Sequence, residues 1–324
     1  MTATPQTGSG KYEQLLERCK KLEPIPTSVA YPCEETALSA AIDAGTQGLI
    51  KPILVGPVGM IRDLARSRGI DLGSTEIVDV ADSQGAAAKS VALVREGKAE
   101  LVMKGSLHSD EILGAVIAKE TGLRTGRRLS HVFLMDVPTY HKVLIVTDAA
   151  INIAPTLEDK VDIVQNAIDL ARSFGVEQPK VAILCAVETV SSKMPATLDA
   201  AALCKMAERG QIKGGLLDGP LAFDNAISKE AAKIKGITSQ VAGDPDILLA
   251  PDLEAGNMMA KQLSFLANAD AAGLVLGARV PVILTSRADS LRARVASAAV
   301  GVLAAHARRQ STVDRRPSTV DRRP

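Results

Sequence analysis

Six short segments, each closing an apolar run, concentrate Gly, Ser, Asp and cationic residues: MKGSLHSDE (103–111), TDAAINIAPT (147–156), VETVSSKMP (187–195), LDGPLAFDNA (217–226), APDLEAGN (250–257) and LTSRADS (284–290). Their chemistry reads as non-covalent. No GxSxG elbow is present, and none of Cys19, Cys33, Cys185 and Cys204 has a His partner at such a segment, so a side-chain nucleophile has no candidate. What the segments offer is anion binding. Lys104, with Arg127 or Arg128 of TGRRLSH, is an available cation; Gly105 would let backbone approach a ligand closely; Ser106, His108 and Ser109 could donate to phosphate oxygens. Lys104 and Arg128 read equally well as surface charges. Any one turn of this kind also reads as an ordinary strand-to-helix turn whose Gly, Asp or Ser caps the helix, but six together favour a ligand site. His108 and His131 have no carboxylate partner nearby in sequence beyond Asp110, so a polar or core role outweighs a general-base role.

The elements that must position these segments alternate. Strands are expected at KPILVG, TEIVDV, AELVMKG, HVFLMDV, KVLIVTD, KVAILCAV, GGLLDGP, PDILLAPD, AGLVLGA and VPVILTS, with helices at 82–96, 108–119, 156–174, 195–209, 224–235, 254–267 and 288–307. Ser109, Thr156 and Asp252 are placed to cap three of those helices. Such a pattern predicts an α/β fold of repeated βα units on a parallel sheet, where ligands sit at the carboxyl ends of strands.

Composition narrows the partners. The formal net charge is +1, but residues 305–324 hold six Arg and two Asp, which leaves a body at −3. With no Trp, 4 Phe and 3 Tyr, the chain lacks both the basic footprint and the stacking platforms of a nucleic-acid binder. Any phosphate-bearing ligand must therefore be held by locally placed cations and backbone N–H groups. The Cys residues show neither metal-ligand spacing nor a disulfide framework, which suits a reducing cytoplasm, and no metal site is expected. No apolar run approaches the ~20 residues of a membrane helix, so no membrane partner is expected. At 324 residues two domains are expected. Two copies of STVDRRP (311–317 and 318–324) close the chain and read as a flexible extension.

Taken in order, MKGSLHSDE, SHVFLMDVP, TDAAINIAPTLEDKVDIVQNA, LDGPLAFDNAIS, VAGDPDILLAPDLEAGNMM and PVILTSRADS resemble the phosphate acetyl/butyryltransferase family across roughly residues 11–307. The resemblance implies a two-lobed, parallel-sheet α/β fold shared with isocitrate and isopropylmalate dehydrogenases. Lobe one would be 1–147 plus 276–310, lobe two 148–275, and 311–324 a tail. It also implies transfer of a short acyl group between coenzyme A and inorganic phosphate, in an interlobe cleft, by direct thiol attack without an acyl-enzyme. Acyl-CoA, phosphate and acyl phosphate would be the partners, coenzyme A a substrate rather than a resident cofactor, and the assembly a homodimer or higher oligomer.

In LTSRADS, Ser286 and Arg287 fall on the family's Ser-Arg pair. The resemblance implies that Ser286 hydrogen-bonds the thiol and Arg287 carries phosphate or oxyanion charge; helix capping by Ser286 is the plain alternative. The acetyl branch's general base falls by spacing on Ala293, so Asp289 becomes the candidate, although an Asp in a first helical turn is also a routine cap. Asp218, Asp224, Asn225 and Asn257 match positions near the cleft. Gly114 and Asp244 replace an Arg and a Lys of the acetyl branch and look like the butyryl branch, toward which the acyl specificity leans. Two other readings stay open: an acyl-CoA-binding or regulatory module that lost its base, and a metal-dependent decarboxylating dehydrogenase, for which no GxGxxG follows a strand.

Overall fold

The computed structural model describes residues 10–286 and 289–314; Arg287 lies outside the described residues. The strands are β1 (Ile25–Ala30), β2 (Ile50–Gly56), β3 (Glu76–Asp79), β4 (Leu101–Lys104), β5 (Ser130–Asp136), β6 (Leu144–Thr147), β7 (Lys180–Leu184), β8 (Leu216–Leu221), β9 (Ile247–Leu249), β10 (Asp270–Leu276) and β11 (Val282–Ile283). The helices are α1 (Lys11–Cys19), α2 (Glu35–Thr46), α3 (Val58–Arg68), α4 (Ser83–Arg95), α5 (Ser109–Ile117), α6 (Leu157–Ser173), α7 (Pro195–Glu208), α8 (Phe223–Ile227), α9 (Lys229–Ile234), α10 (Leu253–Leu266) and α11 (Leu291–Asp314).

All strands join one sheet in the order β3-β2-β1-β4-β11-β10-β5-β6-β9-β7-β8. It is mostly parallel, as expected, in two blocks, with antiparallel pairs at its centre, β11/β10, β10/β5 and β5/β6. Loop length is the reason at β5/β6 and β10/β11. Residues 137–143 and 277–281 are too few for the dozen or so a parallel crossover needs, so each strand must turn back on its neighbour. β11 then pairs parallel with β4, which sets the LTSRADS segment beside MKGSLHS although about 180 residues separate them in sequence.

Each anticipated strand forms. β1, the IPTSVA strand between β2 and β4, was not anticipated: its Pro, Thr and Ser hide a period that burial on both faces does not require. Helices α1, α2 and α3 were also unforeseen. Thr156 and Asp252 cap α6 and α10 as expected, accepting from Asp159 N and Ala255 N. His108, not Ser109, is the residue preceding α5. The expected helix 224–235 breaks at Ser228, whose extended backbone and side chain cap α9. The last helix runs on through Asp314, so the first STVD is helical rather than part of a tail.

Packing explains the aromatic-poor composition. In α11 Val295, Ala296, Ala298, Ala299, Val300, Val302, Leu303, Ala304 and Ala305 are all buried, and small side chains let the helix lie close against the sheet. A Cβ at Gly301 would come 3.1 Å from the Leu101 methyls, so here the helix packs tightly on the side chains of β4 and β11.

Candidate functional site

The carboxyl ends of β1, β4 and β11 meet. Lys104, the last residue of β4, is 4% exposed and its Nζ lies 3.4 Å from the Thr285 carbonyl. At Gly105 a Cβ would stand 2.4 Å from the Ala30 carbonyl oxygen and 2.5 Å from that of Tyr31, so the chain can pass only without a side chain. Ser106 donates from its N–H (2.9 Å) and its hydroxyl (2.8 Å) to the Tyr31 carbonyl, and its Oγ accepts from Cys33 N at 3.1 Å. Its hydroxyl proton is thus committed to holding Tyr31 in a left-handed turn (φ 55°) rather than to a ligand. His108 is exposed just beyond, its N–H donating to the Glu111 carboxylate at 2.7 Å, and Ser83 Oγ fixes the other Glu111 oxygen.

Opposite lies the turn after β11. Ser286 is exposed; its N–H donates to Asp289 Oδ2 at 2.7 Å, and Asp289 N returns to the Ser286 carbonyl at 3.2 Å. Capping of α11 falls to Ser290, whose Oγ accepts from Ala293 N at 3.2 Å, which leaves Ser286 outside that role. Burial pushes the Asp289 carboxyl above its ordinary range, partly offset by the Ser286 N–H and by the charges of Arg294 and Lys104. A carboxyl so placed is a stronger proton acceptor than an exposed one.

A second group surrounds the end of β6. Asp148 is buried, its Oδ1 accepting from Ala150 N (2.9 Å) and Ile151 N (3.1 Å), its Oδ2 from Asn152 N (3.2 Å) and Asn152 Nδ2 (2.5 Å). Arg128 Nε donates to Asn152 Oδ1 at 2.6 Å, while its NH1 pairs with Asp159 at 3.1 Å. Asn257, on α10, donates to the Ala149 carbonyl at 3.0 Å. Arg128 and Asn257 therefore brace this loop. The loop reaches the first group, because Ile151 packs on the buried cluster that includes Leu107 and Leu284. His131 joins them too: it is 1% exposed, edge-on to Phe133 with centroids 4.4 Å apart, and hydrogen-bonded to the Leu284 backbone. Burial pushes its imidazole down to about 4, although the nearby Asp148 pulls the other way.

Asp218 and Asn225 belong to a third place, at the edge strand β8, seven strand steps from β4. Asp218 Oδ1 accepts from Gly219 N at 2.9 Å; Asn225, fully buried, donates to Glu188 at 3.3 Å, and its Oδ1 has no partner. Asp224 pairs with Lys235 at 3.2 Å. The structure thus unites Lys104, Gly105, Ser106, His108, Ser286 and Asp289, sets Arg128 and Asn257 in the adjoining loop, and holds Asp218 and Asn225 apart.

The departures noted in sequence also find places. Asp244 stands among Lys180 (2.6 Å), His141 (2.8 Å) and Lys142 (3.0 Å); burial alone would raise its carboxyl, but these donors hold it well below the usual carboxylate range. A Lys there would face two others. Gly114 has open space beside it. Ala293 lies on the first turn of α11, and its neighbour Arg294 is the side chain that reaches the Ser286 turn. Arg294 was not foreseen, yet a signal existed: it continues the buried stripe 298, 301, 305 at helical spacing, where an arginine is unusual. Among the described residues no three His, Cys, Asp or Glu side chains group as a metal-ligand set, and no helix is long and apolar enough to cross a membrane.

This arrangement of elements defines a known class. The chain is similar to the crystal structure of a branched-chain phosphotransacylase from Enterococcus faecalis, with a TM-score of 0.75 and 28% identity over 87% of this chain and 99% of that one. A 4-hydroxythreonine-4-phosphate dehydrogenase from Klebsiella pneumoniae, at 13% identity and a TM-score of 0.53 over 87% of this chain and 99% of its own, shares the fold alone. The likeness to a dehydrogenase fold is therefore real. Residues 84–302 match the family described as phosphate acetyl/butaryl transferase. A phosphate acetyltransferase of Rhizobium meliloti is 62% identical over 94% of this chain and 96% of the relative, and a phosphate butyryltransferase of Clostridium acetobutylicum 44% identical over 91% and 98%. The chain belongs to the phosphate acetyl/butaryl transferase family.

Proposed function

We propose that this enzyme exchanges an acyl group between coenzyme A and inorganic phosphate, at the meeting of the β4 and β11 ends. The observation that carries the reading is the pairing of a buried cation, Lys104, with the Ser286–Asp289 turn on adjacent parallel strands. A coenzyme A thiol, with a pKa of ~8.5, must lose its proton to attack. Asp289 takes that proton, and Ser286 hydrogen-bonds the sulfur. The thiolate then adds to the carbonyl carbon of the acyl phosphate. As the tetrahedral intermediate collapses, the carbon–oxygen bond to phosphate breaks and inorganic phosphate leaves. Lys104, with Arg287 of the LTSRADS segment, meets the oxyanion and phosphate charge. In the reverse direction phosphate attacks the thioester.

Coenzyme A is in this reading a substrate, and the cleft lies between lobes of 1–147 plus 276–310 and 148–275. We place the enzyme in the cytoplasm as a homodimer or higher oligomer, for which light scattering on the purified chain is the check. For the acyl group, Gly114, Asp244 and Ala293 lean to butyryl, but the 62% identity to a protein named phosphate acetyltransferase outweighs three positions and moves the weight to acetyl. The test is acyl phosphate formation from acetyl-, propionyl- and butyryl-CoA with phosphate. The highest kcat/KM is expected with acetyl-CoA; a butyryl maximum reverses the specificity, and no turnover with any of them leaves the binding-module reading.

A further inference from the structure

The roles assigned so far leave Arg294 without one. Arg294 is 3% exposed on the first turn of α11, and its guanidinium faces backward onto the Ser286 turn. NH1 donates to Thr285 Oγ1 at 3.1 Å, NH2 to the Ser286 carbonyl at 2.8 Å, and Nε lies 3.4 Å from the Asp289 carbonyl. Every one of these acceptors is neutral. A buried guanidinium is ordinarily compensated by a carboxylate bound in its fork, because removing such a charge from water costs several kcal/mol. Here the negative charges it feels, Asp289 and Glu34 at the start of α2, act from beyond that fork. Burial pushes the guanidinium below its ordinary range and those two acids pull it back.

We propose that Arg294 is a positioning residue for acyl transfer, which holds Thr285, Ser286 and Asp289 by one hydrogen bond each and turns its charge on the Asp289 carboxylate. The proposal rests on the reading of Asp289 as the proton acceptor. The groups that set the charge state of Asp289 are the Ser286 N–H on its own turn, Lys104 from β4 and Arg294 from α11. Burial raises the carboxyl and the two cations act against it, so Arg294 favours the ionised form of the acceptor.

Two substitutions separate the two tasks. Arg294→Lys keeps the charge and loses the fork: kcat should fall about 10- to 100-fold with KM for coenzyme A within about threefold, and the acidic limb of the kcat/KM profile should stay where it is. Arg294→Met loses both, so the limb should also move to higher pH, since a carboxyl without its cation holds its proton longer. Should the Met variant fail to fold, Thr285→Val, which removes a single contact, should lower kcat about threefold to tenfold and takes its place for the positioning task. Wild-type kcat and an unmoved limb in the folded Arg294 variants overturn the proposal. Asp289→Asn is assayed alongside: full activity there removes the proton acceptor, and with it the charge half of the proposal, while a loss of kcat in Arg294→Lys still speaks for the fork.

Discussion

Two aspartates in turns after strands have opposite surroundings. Asp148, after β6, is enclosed by four donors on its own loop, which occupy both oxygens. Asp289, after β11, receives among the described residues one donor, the Ser286 N–H, and is raised by burial. The same residue type is thus a strut in one turn and, in the proposed reaction, the proton acceptor in the other. The difference lies in how many N–H groups the local backbone aims at the carboxylate. Each charge-assisted hydrogen bond to Asp148 also stabilises its folded loop.

The contrast breaks most sharply on activity. Asp289→Asn should reduce kcat by about 100- to 1,000-fold in the acyl phosphate assay, the usual contribution of a positioned acid–base group. A carboxyl raised by burial is stabilising only while protonated, below its unfolded value of 3.8, and that stability is lost as pH rises through the folded value. At neutral pH the same substitution should therefore leave the thermal midpoint unchanged or higher. A large loss of Tm with retained kcat would make Asp289 another strut.

Asp148→Asn should do the reverse. An amide presents an NH2 to backbone N–H groups that need an acceptor, and the loss is expected at about 3 kcal/mol in urea unfolding. If stability holds within about 0.5 kcal/mol, the loop does not depend on the charge.

His131 sharpens the comparison through pH. Its imidazole stays neutral in the fold down to about 4, whereas in the unfolded chain it binds a proton below 6.5. Stability should accordingly fall as pH drops from 6.5 toward about 4, by roughly 3 kcal/mol in all, and His131→Phe should flatten that slope. A slope equal in both proteins would assign it to other groups.

Much was legible before folding. Apolar runs and Gly-, Ser- and Asp-rich stops located the strands other than β1 and the segment order that marks the family, because both are local properties of consecutive residues. Ser286 and Asp289 lie three apart, so their shared turn was also within reach of the sequence. Arg294 was hidden by reading a spacing, which pointed to Ala293, instead of a helical face. Ser106 was read as a ligand donor because the carbonyl it serves, Tyr31, directly follows the one unforeseen strand.

The sequence by itself determined the α/β class and the absence of a broad charge for nucleic acid, since composition and periodicity need no partner, and the order of its short motifs carried the resemblance to acyltransferases. Only the tertiary structure decided that β11 returns beside β4, bringing Lys104 to the Ser286 turn, and that Asp218 and Asn225 sit on the far flank. Such neighbours are chosen by strand order and by burial against a shared core. Neither is a property of any short stretch of chain.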